Sequence, residues 1–180
     1  EIELRSSQGL RTLALALKVV DEADEAAALA DPMSAIEDLA FVAVVGIVDP
    51  LRPEAAQAGS EAYEAGITVR MITGDHAVTA AAIGRELGLE GEAVSGAELA
   101  AMDDASLDSR LPGLSVFGRV TPQDKLRLVQ HLQSQGKVVA MTGDAVNDAA
   151  AIKQADIGVA MGSGSEVTKQ AAKLVLTDDN

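Results

Sequence analysis

Short apolar runs separated by alanine-rich, amphipathic stretches set the rhythm of this chain. Leu13 to Val20 alternates weakly and predicts a strand or a short helix, followed by an acidic, alanine-rich segment from Asp21 to Asp38 that Pro32 breaks. Phe41 to Val48 is rich in β-branched residues and predicts a buried strand. It stops at Asp49-Pro50-Leu51-Arg52-Pro53, where two prolines remove ladder donors and predict a stiff hinge between two domains, residues 1–48 and 49–180. Beyond the hinge, Pro53 suits the first turn of a helix running to Ala65, with Gly66 as its stop. Ile67 to Ile72 predicts a strand, and Val78 to Leu87 a helix with Thr79, Ile83 and Leu87 on one face. Ser95 and Glu98 form a capping-box pair opening a small helix, and Asp103 to Gly113 reads as a surface loop. Ser115 to Gly118 predicts a strand; Thr121, Pro122 and Gly136 frame the next helix as N-cap, first residue and stop. The remainder predicts strands Val138–Met141, Ile157–Ala160 and Leu174–Leu176, a helix from about Asn147 to Ala155, and a last helix after a turn at 162–165.

Strands alternating with helices over short loops imply an α/β fold, with a parallel sheet flanked by helices. Such sheets take ligands at the carboxyl ends of their strands. Two Thr-Gly-Asp triplets, Thr73-Gly74-Asp75 and Thr142-Gly143-Asp144, fall at such ends.

Composition narrows the function. At 180 residues the chain can fill one domain, or one domain and part of another. A net charge of −14 argues against nucleic acid and anionic membrane surfaces as partners. The absence of cysteine excludes disulfides, thiolate catalysis and cysteine-held metal clusters. His76 and His131 are far apart in sequence and read as structural or solvent-facing. This composition fits a reducing cytosol, and because no apolar run is long enough to span a bilayer and Glu1 opens with neither Met nor a signal peptide, these residues are expected to be soluble.

The second triplet is followed closely by Asn147 and Asp148, so one strand end delivers several oxygen-bearing side chains. Mg2+ takes oxygen ligands, uses one or two carboxylates and leaves room for phosphate and water. On that chemistry Asp144 is the candidate metal ligand, Asn147 a donor to a phosphate oxygen, and Asp148 a residue that holds a cation or a loop. The same residues also serve as ordinary turn and cap residues. At the first triplet, the Thr73 hydroxyl and the backbone around Gly74 and Asp75 could hold phosphate, or simply make a strand-to-helix turn. Lys125 sits in the first turn of a helix, where the macrodipole disfavours a cation; it is either a surface lysine or an ammonium that neutralises a transferring phosphoryl group. Arg119 could support the same site or pair with a surface acid. Arg52, between two prolines, suits polyphosphate recognition or plain solvation. The glycine-rich stretch Gly158 to Ser165 matches neither the Walker nor the dinucleotide pattern and reads as a turn.

Five motifs in register carry a resemblance. They are Asp49-Pro-Leu-Arg-Pro-Glu54, Met71-Ile-Thr-Gly-Asp75, Arg119-Val-Thr-Pro-Gln-Asp-Lys125, Met141-Thr-Gly-Asp-Ala-Val-Asn-Asp148 and Ala155-Asp-Ile-Gly-Val-Ala-Met-Gly162. In order and spacing the chain resembles the P-type cation-transporting ATPases, closest to their bacterial calcium-pump-like branch. The resemblance implies a haloacid-dehalogenase-like fold, with residues 1–48 closing an α+β nucleotide-binding domain and 49–180 forming a phosphorylation domain incomplete at both ends. It implies ATP as substrate, an aspartyl-phosphate intermediate and Mg2+ as cofactor. It further implies Asp144 on the metal, Thr73, Lys125 and Asn147 on the phosphoryl group, Asp148 and Arg119 in support, and Arg52 near the nucleotide. The implied partners are the transmembrane, actuator and nucleotide-binding parts of the same pump. The implied location is the cytoplasmic side of a bacterial plasma membrane.

The chain departs from the family pattern. The family's phosphorylated aspartate lies in Asp-Lys-Thr-Gly-Thr, which does not occur here. Its strand would lie at the centre of the sheet, between the two strands that end in Thr-Gly-Asp. The expectation is therefore an inactive piece that is poorly stable, rearranges, or borrows a strand from a second copy. Ala145 and Ala150 replace the family's usual glycine and proline, which puts a left-handed backbone at 145 in question. Rival readings are a stand-alone phosphatase of the same superfamily and a non-catalytic nucleotide-binding regulator.

Overall fold

The computed structural model of the chain describes residues 11–47 and 51–178. The chain divides into two units, Glu1–Leu51 and Arg52–Asn180. Val48, Asp49 and Pro50, which include the first two residues of the predicted hinge, lie outside the described residues, as do Asp179 and Asn180.

In the first unit β1 (Arg11–Leu17) pairs antiparallel with β2 (Ala40–Ile47), and α1 (Glu25–Ala30) lies between them in sequence. The strand is where the β-branched run predicts it, but it is not buried: Phe41 is 68% exposed. No residue of α1 is buried either, so this helix covers no face of the ribbon. A two-stranded ribbon is marginal by itself in water.

The second unit is α/β throughout. In chain order it runs α2 (Pro53–Glu64), β3 (Met71–Thr73), α3 (Ala77–Glu86), β4 (Glu92–Ser95), α4 (Gly96–Ala101), α5 (Asp104–Arg110), β5 (Leu114–Gly118), α6 (Pro122–Ser134), β6 (Ala140–Gly143), α7 (Ala149–Gln154), β7 (Ile157–Met161), α8 (Glu166–Ala171) and β8 (Leu174–Leu176). The predicted caps are present. Ser95 and Glu98 make a reciprocal capping box, and Pro122 follows the N-cap Thr121. Gly66 and Gly136 end their helices at φ of 76° and 74°, a backbone that a side chain resists.

Every strand pair described in this unit is parallel, but the strands form two sheets rather than one. One has the order β3-β5-β4 and the other β6-β7-β8. β3 and β6, the two strands that lead into Thr-Gly-Asp, are each an outer strand, and no ladder among the described residues joins them. They are nevertheless neighbours. Ile72 of β3 packs against the core holding Leu99, Leu107, Leu111, Leu114 and Phe117, and also against the core holding Val129, Val139, Met141 and Ile152. Leu132 of α6 does the same.

Several predicted elements shift. β3 is three residues long rather than six, since its ladder with β5 runs only from Met71↔Val116 to Thr73↔Gly118. β6 starts two residues later than expected, since Val139 donates its N–H to the Asp156 carboxylate and the ladder opens at Ala140↔Ile157. The buried side of α3 is Ala80, Ala82 and Gly84, not the Thr79–Ile83–Leu87 face. Small residues face inward there because the helix lies close to β5: a Cβ on Gly84 would collide with Val116. The predicted loop at 103–113 is instead α5 and a 3-10 turn, capped by Asp103 and anchored by fully buried Leu107 and Leu111. The short strand β4 is an element that the sequence pattern does not announce.

Candidate functional site

The carboxyl ends of β3 and β6 carry two groups of the candidate residues. At β6, the strand ends at Gly143, and a 3-10 turn, Val146–Asp148, precedes α7. The helix expected near Asn147 therefore begins at Ala149, and Asn147 lies in the turn, exposed. Asp144 is also exposed, with its carboxylate open to a ligand. Asp148 is not: its side chain is 8% exposed and its Oδ1 accepts from Lys125 Nζ at 2.5 Å. Its Oδ2 accepts the Ala145 N–H at 3.2 Å. One carboxylate thus ties the first turn of α6 to the peptide that follows Asp144.

That pairing explains how a lysine survives at a helix start. The Lys125 ammonium, 9% exposed, trades the unfavourable end of the macrodipole for a charge-assisted hydrogen bond. The lysine is therefore not a surface residue. Close approach at the strand end also needs Gly143, where a Cβ would stand 2.7 Å from the Asp148 carboxyl group. Ala145 has φ −91° and ψ 155°, extended backbone open to any residue, so no left-handed geometry is required at that position.

At β3, the Thr73 hydroxyl accepts from the Asp75 N–H at 3.1 Å and lies 3.1 Å from the Asp75 carboxylate. Asp75 O in turn accepts the Arg119 N–H at 2.9 Å, joining the ends of β3 and β5. Arg119 has φ 51° and is exposed. Gly74 is exposed and open, with no heavy atom near the place a Cβ would take. Arg52 precedes α2 in extended conformation and caps it through its carbonyl, which accepts from Ala55.

The structure therefore gathers Lys125, Asp144, Asn147 and Asp148 at one strand end, and Thr73, Gly74, Asp75 and Arg119 at another. Among the described residues no hydrogen bond or ion pair links the two groups. Neither group is enclosed: cavities of about 280 and 190 Å³ open elsewhere, beside Tyr63 and beside Gly84. No cluster of three or more acidic or histidine side chains able to cage a metal occurs among the described residues. A lone exposed carboxylate suits a hard cation whose other ligands are phosphate and water.

The turn at 162–165 holds more than its sequence suggests. Ser165 donates its N–H to Asp144 O at 2.7 Å, and Thr168 donates its hydroxyl to Ala145 O at 2.7 Å. A serine three residues before a threonine is a legible N-cap, but nothing in the sequence signals the reach back to 144–145. Asp156 is a further residue that sequence reasoning does not single out. The N–H of Val139, then the amide of Gln133, hold its carboxyl below the usual carboxylate range and secure the start of β6. His131 lies between Asp108, 2.8 Å from its Nδ1, and Asp104, which agrees with a structural role.

Comparison with known proteins agrees with this architecture. A haloacid dehalogenase-like hydrolase family model matches residues 2–156. A calcium-transporting ATPase of Listeria monocytogenes is 46% identical over 178 residues, 97% of this chain and 20% of the relative. A cation-transporting ATPase of Synechocystis is 46% identical over 99% of this chain, again 20% of its own length. A probable cation-transporting ATPase F of Mycobacterium bovis is 48% identical over 190 residues with the same coverage. The chain thus spans about a fifth of the length of the curated relatives it matches. Among solved structures, the catalytic domain of a CPx-ATPase, CopB-B, superposes with a TM-score of 0.54 at 24% identity, over 79% of this chain and 46% of that one. Among the described residues no helix is long and apolar enough to cross a membrane.

Proposed function

Because the chain belongs to the haloacid dehalogenase-like hydrolases and is homologous to P-type calcium- and cation-transporting ATPases, we propose that it is the catalytic-rim segment of an ATP-driven cation transporter that forms an aspartyl-phosphate intermediate. In this reading residues 1–48 close a nucleotide-binding domain, and 49–180 belong to the phosphorylation domain on the cytoplasmic side of a multi-pass bacterial membrane protein.

The observation that carries the reading is the pair of open strand edges. β3 and β6 both run parallel to their partners, both lead into Thr-Gly-Asp, and each has one unpaired edge among the described residues, while Ile72 of β3 packs against both cores. Unpaired backbone groups between buried elements call for a partner. One more parallel strand between β3 and β6 would satisfy both edges and end between Thr73 and Asp144. No Asp-Lys-Thr-Gly-Thr occurs in the chain, so that strand and its nucleophile come from elsewhere in the pump. The chain by itself has no turnover.

The residues then divide the work. Asp144 would contribute one oxygen ligand to Mg2+, which would supply positive charge against the phosphate. Lys125, aimed and kept from wandering by Asp148, offers its ammonium to the phosphoryl oxygens. Thr73 and Asn147 offer a hydroxyl and an amide donor. Arg119 supports the β3 end, and Arg52 meets the nucleotide. Pre-aimed donors of this kind stabilise charge as it develops, without reorganising at the moment of reaction.

The test is phosphoenzyme formation from γ-labelled ATP by the full polypeptide in membranes. Asp144→Asn should lower acid-stable label by at least about a hundredfold, while Arg85→Gln, a change at an exposed position of α3, should leave it intact. Full labelling of Asp144→Asn would overturn the assignment. Hydrolysis of an aryl phosphate by the isolated chain, abolished by Asp144→Ala, would favour the free-standing phosphatase instead.

A further inference from the structure

The two peptide groups that follow the Asp144 Cα are held by four hydrogen bonds, two from Asp148 and two from the segment 165–168. Asp144 O accepts from the Ser165 N–H at 2.7 Å, Ala145 N–H donates to the Asp148 carboxylate, and Ala145 O accepts from both the Asp148 N–H at 2.9 Å and the Thr168 hydroxyl at 2.7 Å. Thr168 is fully buried although polar. A carbonyl can only accept, so the Thr168 proton points at Ala145 O. The Ser165 hydroxyl, 2.6 Å away, must then donate to Thr168 Oγ1, while its oxygen accepts the Thr168 N–H at 3.2 Å. The result is a directed relay, Ser165 to Thr168 to Ala145, with every donor used. Gly164 makes room for it: a Cβ there would lie 3.0 Å from the Asp144 Cα.

We propose that Ser165 and Thr168 are positioning residues for the Asp144 carboxylate, fixing the backbone that aims it and so setting the affinity of the site for a divalent cation. The inference rests on the reading of Asp144 as a cation ligand. An exposed carboxylate on a loose turn loses conformational entropy each time it binds; one on a backbone clamped from both sides has already lost it. Asp148 clamps from the α6 side, and the Ser165–Thr168 relay clamps from the opposite segment, after β7. Thr168 is fully buried, so its part is to hold the backbone and not to meet the ion.

The experiment is a titration of the whole chain with Mn2+, reading paramagnetic broadening of the Thr142 and Ala145 amide signals, with Mg2+ as competitor. Thr168→Val keeps the shape and removes the hydroxyl; it should raise the Mn2+ concentration for half-broadening by about tenfold, the low end of what supporting residues around metals deliver. Thr168→Ser should restore the wild-type midpoint. If Thr168→Val does not fold, Ser165→Ala, which cuts the relay at its half-buried end, should shift the midpoint in the same direction, with only the modest drop in melting temperature that loss of an N-cap brings. A midpoint in the folded Thr168→Val or Ser165→Ala chain equal to wild type would overturn the proposal. Asp144→Asn separates the two layers: if it binds Mn2+ like wild type, the cation-ligand reading itself fails, whatever Thr168 does.

Discussion

Lys125 Nζ lies 2.5 Å from Asp148 Oδ1, with both side chains more than nine-tenths buried. Breaking such a pair from one side leaves a charge without water or partner. Lys125→Met should therefore destabilise the fold by about 3–5 kcal/mol in urea titrations. Lys125→Met combined with Asp148→Asn should lose less than Lys125→Met alone. The amide introduced by the second change carries no stranded charge, and its oxygen can still accept the Ala145 N–H. Equal losses would mean that the pair is not coupled in solution.

Gly143 and Gly74 occupy the same place in the two Thr-Gly-Asp triplets but should respond differently to alanine. Gly143→Ala drives a Cβ into the Asp148 carboxyl group. It should lower the melting temperature and act like Lys125→Met. Gly74→Ala meets open space at an ordinary φ, so its stability should stay within about 0.5 kcal/mol of wild type. Any loss of nucleotide turnover in a Gly74→Ala pump would then report contact with a ligand, not a folding defect. A large stability loss at Gly74 would contradict the described turn.

The segment 103–113 offers a test of structure against pattern. If it were a surface loop, alanine at Leu107 or Leu111 would be close to neutral. Both leucines are fully buried in the larger core cluster. Leu107→Ala and Leu111→Ala should each cost about 2–5 kcal/mol, read from chemical unfolding.

Acid stability follows from the exposed carboxylates that the fold uses as acceptors. The Arg127 hydrogen bond, with nearby His131, holds the Asp104 carboxyl below its ordinary value of 3.8, and the Ser106 hydrogen bonds do the same for Asp103. A carboxyl whose pKa is depressed by folding contributes stability above its unfolded value and loses it as pH falls through the folded one. Stability should be level in pH down to about 4 and decline below it. Asp104→Asn should flatten part of that decline in melting curves taken between pH 6 and 2. An unchanged slope would show that Asp104 carries none of it.

Much of this fold is legible in the sequence because its punctuation is local. Thr121 and Pro122, Ser95 and Glu98, Gly66 and Gly136 act within a few residues of themselves, and the structure has them in those roles. The Asp103–Gly113 stretch reads as a loop because its polar surface residues outnumber two leucines, and only the fold reveals that Leu107 and Leu111, spaced i and i+4, pack in one core with Phe117. The strand β4 escapes the pattern because Glu92-Ala-Val-Ser95 is short and carries little apolar content. At the site, the motifs bring out Asp144, Lys125, Asn147 and Asp148, but not that Asp148 neutralises Lys125. The reach of Thr168 to Ala145 spans 23 residues and has no periodicity to betray it.

The open edges of β3 and β6 bear most directly on the proposed role, and amide hydrogen exchange reads them residue by residue. In the isolated chain the central strands β5 and β7 should be protected, while amides of 71–73 and 140–143 that do not donate to β5 or β7 exchange rapidly. In the full-length polypeptide those same amides should become as slow as their neighbours, because the proposed strand from elsewhere in the polypeptide would lie between them. Equal protection of β3 and β6 with and without the rest of the polypeptide would contradict the account.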